Sequence, residues 1–139
     1  MASPPNGYRE GERDVRKYSV DADTADIKTA DFLIEATAGF VKVAAAGDTP
    51  LGVAMQDVDS PSADGDVDIL VDISPHTTYE YPPDAGSVTQ ALVGRTMDVG
   101  GAQTIDIDAS TDDVIRCVGV DTIANTLLCQ LIPTNAGVV

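Results

Sequence analysis

The stretch from Gly39 to Ile73 constrains the fold more than any other part of this chain. It reads Gly-Phe-Val-Lys-Val, a small-residue loop ending in Gly-Asp-Thr-Pro, then Leu-Gly-Val-Ala-Met-Gln-Asp, an acidic loop through Ala63-Asp64-Gly65-Asp66, and finally Val-Asp-Ile-Leu-Val-Asp-Ile. These are three short β-type runs divided by turn chemistry. In the last run Val67, Ile69, Val71 and Ile73 share one face while Asp68 and Asp72 share the other, the period-2 signature of a strand with one wet side. The pattern predicts a small antiparallel sheet.

The flanking sequence extends that reading. Asp31-Phe32-Leu33-Ile34-Glu35 and Phe40-Val41-Lys42-Val43, joined by a turn at Thr37-Ala38-Gly39, read as a hairpin. Leu51 to Asp57 follows as a third strand, where Gly52 marks a bulge or a close backbone approach. Thr77 to Tyr81 is expected at a sheet edge or rim, because prolines bracket it. Ser87 to Leu92 is the one helical candidate, with Ser87 as N-cap, Val88, Leu92 and Val93 at helical spacing, and Gly94 as its end. Thr104 to Asp108 alternates, with Ile105 and Ile107 on one side. Val114 to Val120 and Thr126 to Ile132 are apolar on both faces, which places them centrally or at a subunit contact. About eight short antiparallel strands result, an all-β barrel or sandwich over residues 27–133. An extended N-terminal arm, 1–26, precedes it and a loose tail, 134–139, follows.

Charge limits the partners. Asp and Glu total 23 against 8 Lys and Arg, a formal net charge of −15. Such a surface repels phosphate, so nucleic acid is not an expected partner. The bases are unevenly spread. The first 17 residues hold Arg9, Arg13, Arg16 and Lys17 against Glu10, Glu12 and Asp14, a net of +1, which leaves −16 on the remainder. The arm is thus electrostatically distinct from the body. Its few large apolar groups, Tyr8, Val15, Tyr18 and Val20, cannot close a core of their own. It is therefore expected to be frayed, or to order on a partner with its rings as anchors and its arginines paired to carboxylates.

Catalytic and metal motifs are weak. The loop acids Asp57, Asp59, Asp64, Asp66 and Asp68 invite a calcium reading, but they lack the alternate-position register with Gly at the sixth and Glu at the twelfth place, so solvated turn acids are expected. The sole histidine, His76, follows Pro75 without any Gly-x-Ser-x-Gly, His-Glu-x-x-His or paired-cysteine motif, so a surface or interface role is expected. Cys117 and Cys129 fall on neighbouring strands, either as buried thiols or as a disulfide if their Cα atoms approach within about 7 Å. Asp98-Val-Gly-Gly-Ala lacks the Lys-Ser or Lys-Thr of a phosphate loop. Aromatics are only 4 % of the chain, too few for the lining of a sugar cleft or a large ligand pocket. No catalytic residue, cofactor or metal is expected. The first residues, Met-Ala-Ser-Pro-Pro-Asn-Gly-Tyr-Arg, form no apolar signal region, and no run approaches the length of a membrane span. Folding in a cytoplasm without membrane association is the expectation.

Phe40-Val-Lys-Val, Ala46-Gly-Asp-Thr-Pro-Leu-Gly-Val-Ala and Asp64-Gly-Asp-Val-Asp-Ile-Leu-Val resemble the small β-barrel decoration, or cement, proteins of tailed-bacteriophage capsids. Leu92-Val-Gly-Arg-Thr, Thr104-Ile-Asp-Ile, Asp112-Asp-Val-Ile-Arg, Gly119-Val-Asp and Asn125-Thr-Leu-Leu-Cys-Gln-Leu are similar to segments of phage head proteins. The resemblance covers about residues 27 to 133 and rests on glycines and apolar alternation. It implies a non-enzymatic homotrimer on the outer face of a virion capsid, clamping neighbouring major capsid protein subunits with an extended arm. Tyr8, Arg9, Arg13, Arg16, Lys17 and Tyr18 are then the expected capsid-binding residues. The competing expectation is a head-fibre base, or a module that binds host surfaces or glycans. A secreted or halophilic acidic domain, its charge an adaptation to high salt, is a further alternative, which a fold dependent on high salt would support.

Overall fold

A computed structural model describes residues 7–36 and 38–132. The tail expected over 134–139 and the first six residues of the arm lie outside the described residues, as does Thr37 in the first hairpin turn. The fold is all-β. Its eleven strands are β1 (Gly7–Glu10), β2 (Val15–Ser19), β3 (Phe32–Glu35), β4 (Val41–Val43), β5 (Gly52–Ala54), β6 (Asp68–Asp72), β7 (Thr78–Tyr81), β8 (Thr96–Val99), β9 (Ile105–Asp106), β10 (Ile115–Asp121) and β11 (Thr126–Leu131). They form two antiparallel sheets, one ordered β1-β7-β11-β10-β8-β9 and the other β2-β6-β5-β3-β4. Single parallel bridges, Pro83 just past β7 with Ile105 of β9 and Val20 just past β2 with Val41 of β4, link separated strands of each sheet without closing a ladder. The architecture is thus a sandwich of two strongly curled sheets.

Three local expectations change. Ser87 to Leu92 holds only a 3-10 turn, Gln90–Leu92, and its N-cap position is Thr89 with no side-chain cap bond. Gly94 follows with φ +88, and its N–H is taken by the Cys117 carbonyl, so no further turn can be added. β7 is an interior strand, flanked by β1 and β11. Pro82 and Pro83 lie just past its end, where the missing N–H groups cost no ladder bond. The segment expected to stand apart as an arm is extended, but residues 7–20 lie within the two sheets. β1 pairs with β7 and β2 with β6, and Val20 is buried.

Two apolar cores result. The larger lies between the sheets and unites Phe32 and Val53 of the second sheet with Tyr79, Tyr81, Met97, Ile115, Cys117, Leu127 and Cys129 of the first. The smaller is entirely aliphatic: Val20, Ile27, Leu33, Val41, Ala54, Ile69 and Val71. Adjacent residues of β3, Phe32 and Leu33, therefore enter different cores, as strand alternation requires. Burial of each such side chain is worth about 1.5–3 kcal/mol. Gly52 is a close approach, as its sequence position suggested: a Cβ there would lie 2.6 Å from the Asp72 carbonyl oxygen.

Candidate docking site on the N-terminal strands

β1 and β2 are each the end strand of a sheet, and they are consecutive in the chain. The link 11–14 therefore crosses from one sheet to the other along one side of the sandwich. Gly11 has φ +101, and a Cβ at this position would meet the His76 carbonyl oxygen at 2.2 Å. Only glycine permits so close a crossing.

A polar seam fixes this link. Asp72 is fully buried. Its Oδ1 accepts from the Asp14 and Ser74 backbone N–H groups, both at 3.0 Å, and its Oδ2 accepts from the Tyr79 hydroxyl at 2.5 Å. The Glu12 carbonyl accepts from the Ser74 hydroxyl at 2.7 Å and the Thr77 hydroxyl at 3.1 Å. The Asp14 carbonyl accepts from Ile73 N–H at 2.9 Å. Burial, reinforced by the bond to Asp72, pushes the Tyr79 phenol well above its ordinary pKa, so it stays a donor at all physiological pH. Sequence alternation had assigned Asp72 to a wet face. The structure corrects this, because the N-terminal link and β7 cover it.

The six expected binding residues are brought to this side but differ in role. The Arg13 guanidinium lies over the Tyr8 ring at 3.7 Å from its centroid and reaches to 4.0 Å from Asp72 Oδ2. Tyr8 packs edge-on against Tyr79, and its hydroxyl donates to the Gly11 carbonyl at 3.0 Å. Arg9 Nε donates to Glu80 at 2.7 Å, and the opposite oxygen of Glu80 accepts from Thr126. The Tyr18 ring packs onto the aliphatic core. Arg16 and Lys17 point outward, with side chains 61 % and 70 % exposed. Arg16 pairs with its neighbour Asp14 at 2.9 Å, a hydrogen bond that raises the guanidinium pKa, and Lys17 lies 3.9 Å from Asp68. Val15, beside them on β2, is 43 % exposed. Arg9, Arg13, Tyr8 and Tyr18 thus make contacts within the fold, Tyr8 and Arg13 while still exposed, whereas Val15, Arg16 and Lys17 are successive exposed side chains of the β2 edge.

The loop acids serve turns. Asp57 accepts from the Thr29 N–H at 2.7 Å and the Thr29 hydroxyl at 2.9 Å, which lowers its pKa, while Asp64 accepts from Ala22 N–H at 2.8 Å. Asp68 accepts from the Ser19 hydroxyl at 3.0 Å. Among the described residues, no group of three or more His, Cys, Asp or Glu is placed to hold a metal ion. His76 is exposed. An open depression of about 490 Å³ beside β8 is lined by residues 94–97 and 107–110, where Arg95 and Asp108 are the charged groups. Its lining holds no histidine or cysteine, and its hydroxyl groups are those of Thr96 and Ser110.

The residues that sequence reasoning missed are Asp72, Ser74, Thr77 and Tyr79. One local signal was present. Asp72-Ile73-Ser74 is an Asx-turn pattern, in which the carboxylate accepts from the N–H two residues on. Among the described residues, no helix is long and apolar enough to cross a membrane. No protein-family model matches the chain, and no curated protein matches it.

Proposed function

We propose that this protein is a structural decoration protein of a tailed-phage head, a homotrimer that binds major capsid protein subunits on the outer capsid surface and performs no chemistry. The observation that carries the reading is the exposed edge of β2. A net charge of −15 sits on the chain as a whole, yet Arg16 and Lys17 stand together with exposed Val15 on an end strand. An end strand offers unpaired backbone groups to a neighbouring extended segment, and flanking bases favour a segment bearing carboxylates.

A clamp must transmit load, and this site is suited to it. Force applied at β2 passes through β6 into the aliphatic core, and through the Asp72 seam into the other sheet. The acidic remainder keeps a particle that carries many copies from aggregating. In this reading the N-terminal segment acts as a built-in edge, and any lacing beyond it falls to the residues before Gly7.

The test is co-sedimentation of the purified chain with expanded phage-type capsids that lack a decoration protein, followed by a heat challenge. Saturable binding and a higher capsid disruption temperature are expected, both weakened at least tenfold in affinity, about 1.4 kcal/mol, by the exposed double substitution Arg16→Glu with Lys17→Glu. Absence of binding by the unaltered chain would sink the proposal.

A further inference from the structure

Cys117 and Cys129 are register partners on β10 and β11, the two strands at the middle of the larger sheet. The Cys117 N–H donates to the Arg95 carbonyl at 2.9 Å, and its carbonyl accepts from Gly94 N–H at 2.8 Å. Both backbone groups of Cys117 therefore point away from β11, which makes this a non-hydrogen-bonded antiparallel pair. In such pairs the Cα atoms lie about 4.5 Å apart with side chains close on one face, at the short end of the range that a disulfide spans. Both side chains belong to the inter-sheet core, and both thiols are free. The Cys117 thiol donates to the Gly119 carbonyl at 3.3 Å, a hydrogen bond that a disulfide would give up.

We infer that Cys117 and Cys129 are a latent disulfide site that closes across the β10–β11 hairpin when the chain folds in the presence of a low-molecular-weight disulfide. One cysteine thiolate attacks the small disulfide, forming a mixed disulfide and expelling one small thiolate. The second cysteine thiolate attacks the protein-side sulfur, forming the intrachain bond and expelling the other small thiolate. Two protein thiols are oxidised, one small disulfide is reduced to two thiols, and the two protons pass to those thiols.

Timing follows from burial. Cys117 is 0 % and Cys129 1 % exposed, and burial raises both thiol pKa values, so the folded pair is shielded from oxidant and poor in thiolate. Closure therefore belongs to the folding chain, before the hairpin packs. The bond would tie together the strands on either side of the bulge that follows Cys117, where the ladder is weakest.

The sequence offers a direct readout, since Arg116 is the last basic residue and trypsin releases both cysteines in one peptide, 117–139. The denatured, reduced chain is refolded with glutathione disulfide and with reduced glutathione alone, then digested and weighed. The expected result is a peptide about 2 Da lighter after the oxidising refold, and a thermal midpoint higher by on the order of 5 °C that returns to the reduced value after reduction and refolding. Oxidant added to the already folded chain should give at least tenfold slower conversion. Recovery of free thiols, a glutathione adduct or a linked peptide dimer after the oxidising refold would overturn the inference. So would an equal rise in midpoint for Cys129→Ala, which cannot form the bond.

Discussion

β6 buries side chains on both of its faces, for opposite reasons, although Asp68 and Leu70, which share the face of Asp72, stay exposed. On one, Ile69 and Val71 enter an aliphatic core made of side chains that need no partner beyond contact. On the other, Asp72 is equally buried but is held by the Asp14 and Ser74 backbone N–H groups and the Tyr79 hydroxyl. The first face tolerates imperfect geometry, since dispersion and water exclusion are non-directional. The second does not, because a buried carboxylate left without donors costs far more than a missing methyl group. The aliphatic side supplies bulk stability, and the polar side fixes how the N-terminal strands cross between sheets.

That contrast can be broken most directly at Asp72. Asp72→Ala strands the Tyr79 hydroxyl and two backbone donors, and should destabilise by about 4 kcal/mol in urea unfolding. Asp72→Asn, which keeps an acceptor oxygen, should cost clearly less. On the other face, Leu33→Ala should cost about 3 kcal/mol by loss of contact and the cavity left behind. If Leu33→Ala proved the costlier of the two, the polar seam would not be the more demanding face.

Arg13→Ala sharpens the comparison at its rim. The guanidinium is partly exposed, so loss of its stacking on Tyr8 and its long contact to Asp72 should cost only about 1 kcal/mol. A loss as large as that of Asp72→Ala would mean that the seam depends on the cation.

The smallest effect concerns acid. The pKa of Asp57 is lowered in the folded state by the hydrogen bonds from Thr29. Its contribution is therefore present above the unfolded carboxylate pKa and is lost as pH falls through the folded value. Asp31 runs the other way. Its pKa is raised by burial, so its unfavourable ionisation is relieved as pH falls. Asp57→Asn should flatten the acid limb of a stability–pH curve, whereas Asp31→Asn should steepen it. Equal curves for both variants would remove Thr29–Asp57 from the account.

Legibility followed the same division. The hairpin of β3 and β4, the alternation of Ile69 and Val71, the close approach at Gly52 and the central place of β10 and β11 were readable, because each is written in apolar period or in a missing side chain. β1 and β2 were not. Their sequences, Gly-Tyr-Arg-Glu and Val-Arg-Lys-Tyr-Ser, are charged and short, and they become strands only because β7 and β6 offer them an edge. Burial of Asp72 was hidden for a related reason: its donors lie at residue 14, nearly sixty positions earlier, and on the next strand. The expected binding residues Tyr8, Arg9, Arg13 and Tyr18 were recognised as a group by composition. Composition could not separate Arg9 and Tyr18, which are partly covered, from Tyr8, Arg13, Arg16 and Lys17, which are exposed.

Hydrogen exchange of the isolated, partner-free chain tests the central claim, that residues 7–20 are built into both sheets. The amides of Asp14 and Val20, bonded to Asp72 and to the Val67 carbonyl, should be protected to a degree comparable with Ile73. Exchange of 7–20 at random-coil rates, with β6 still protected, would contradict the account and return this segment to a free arm.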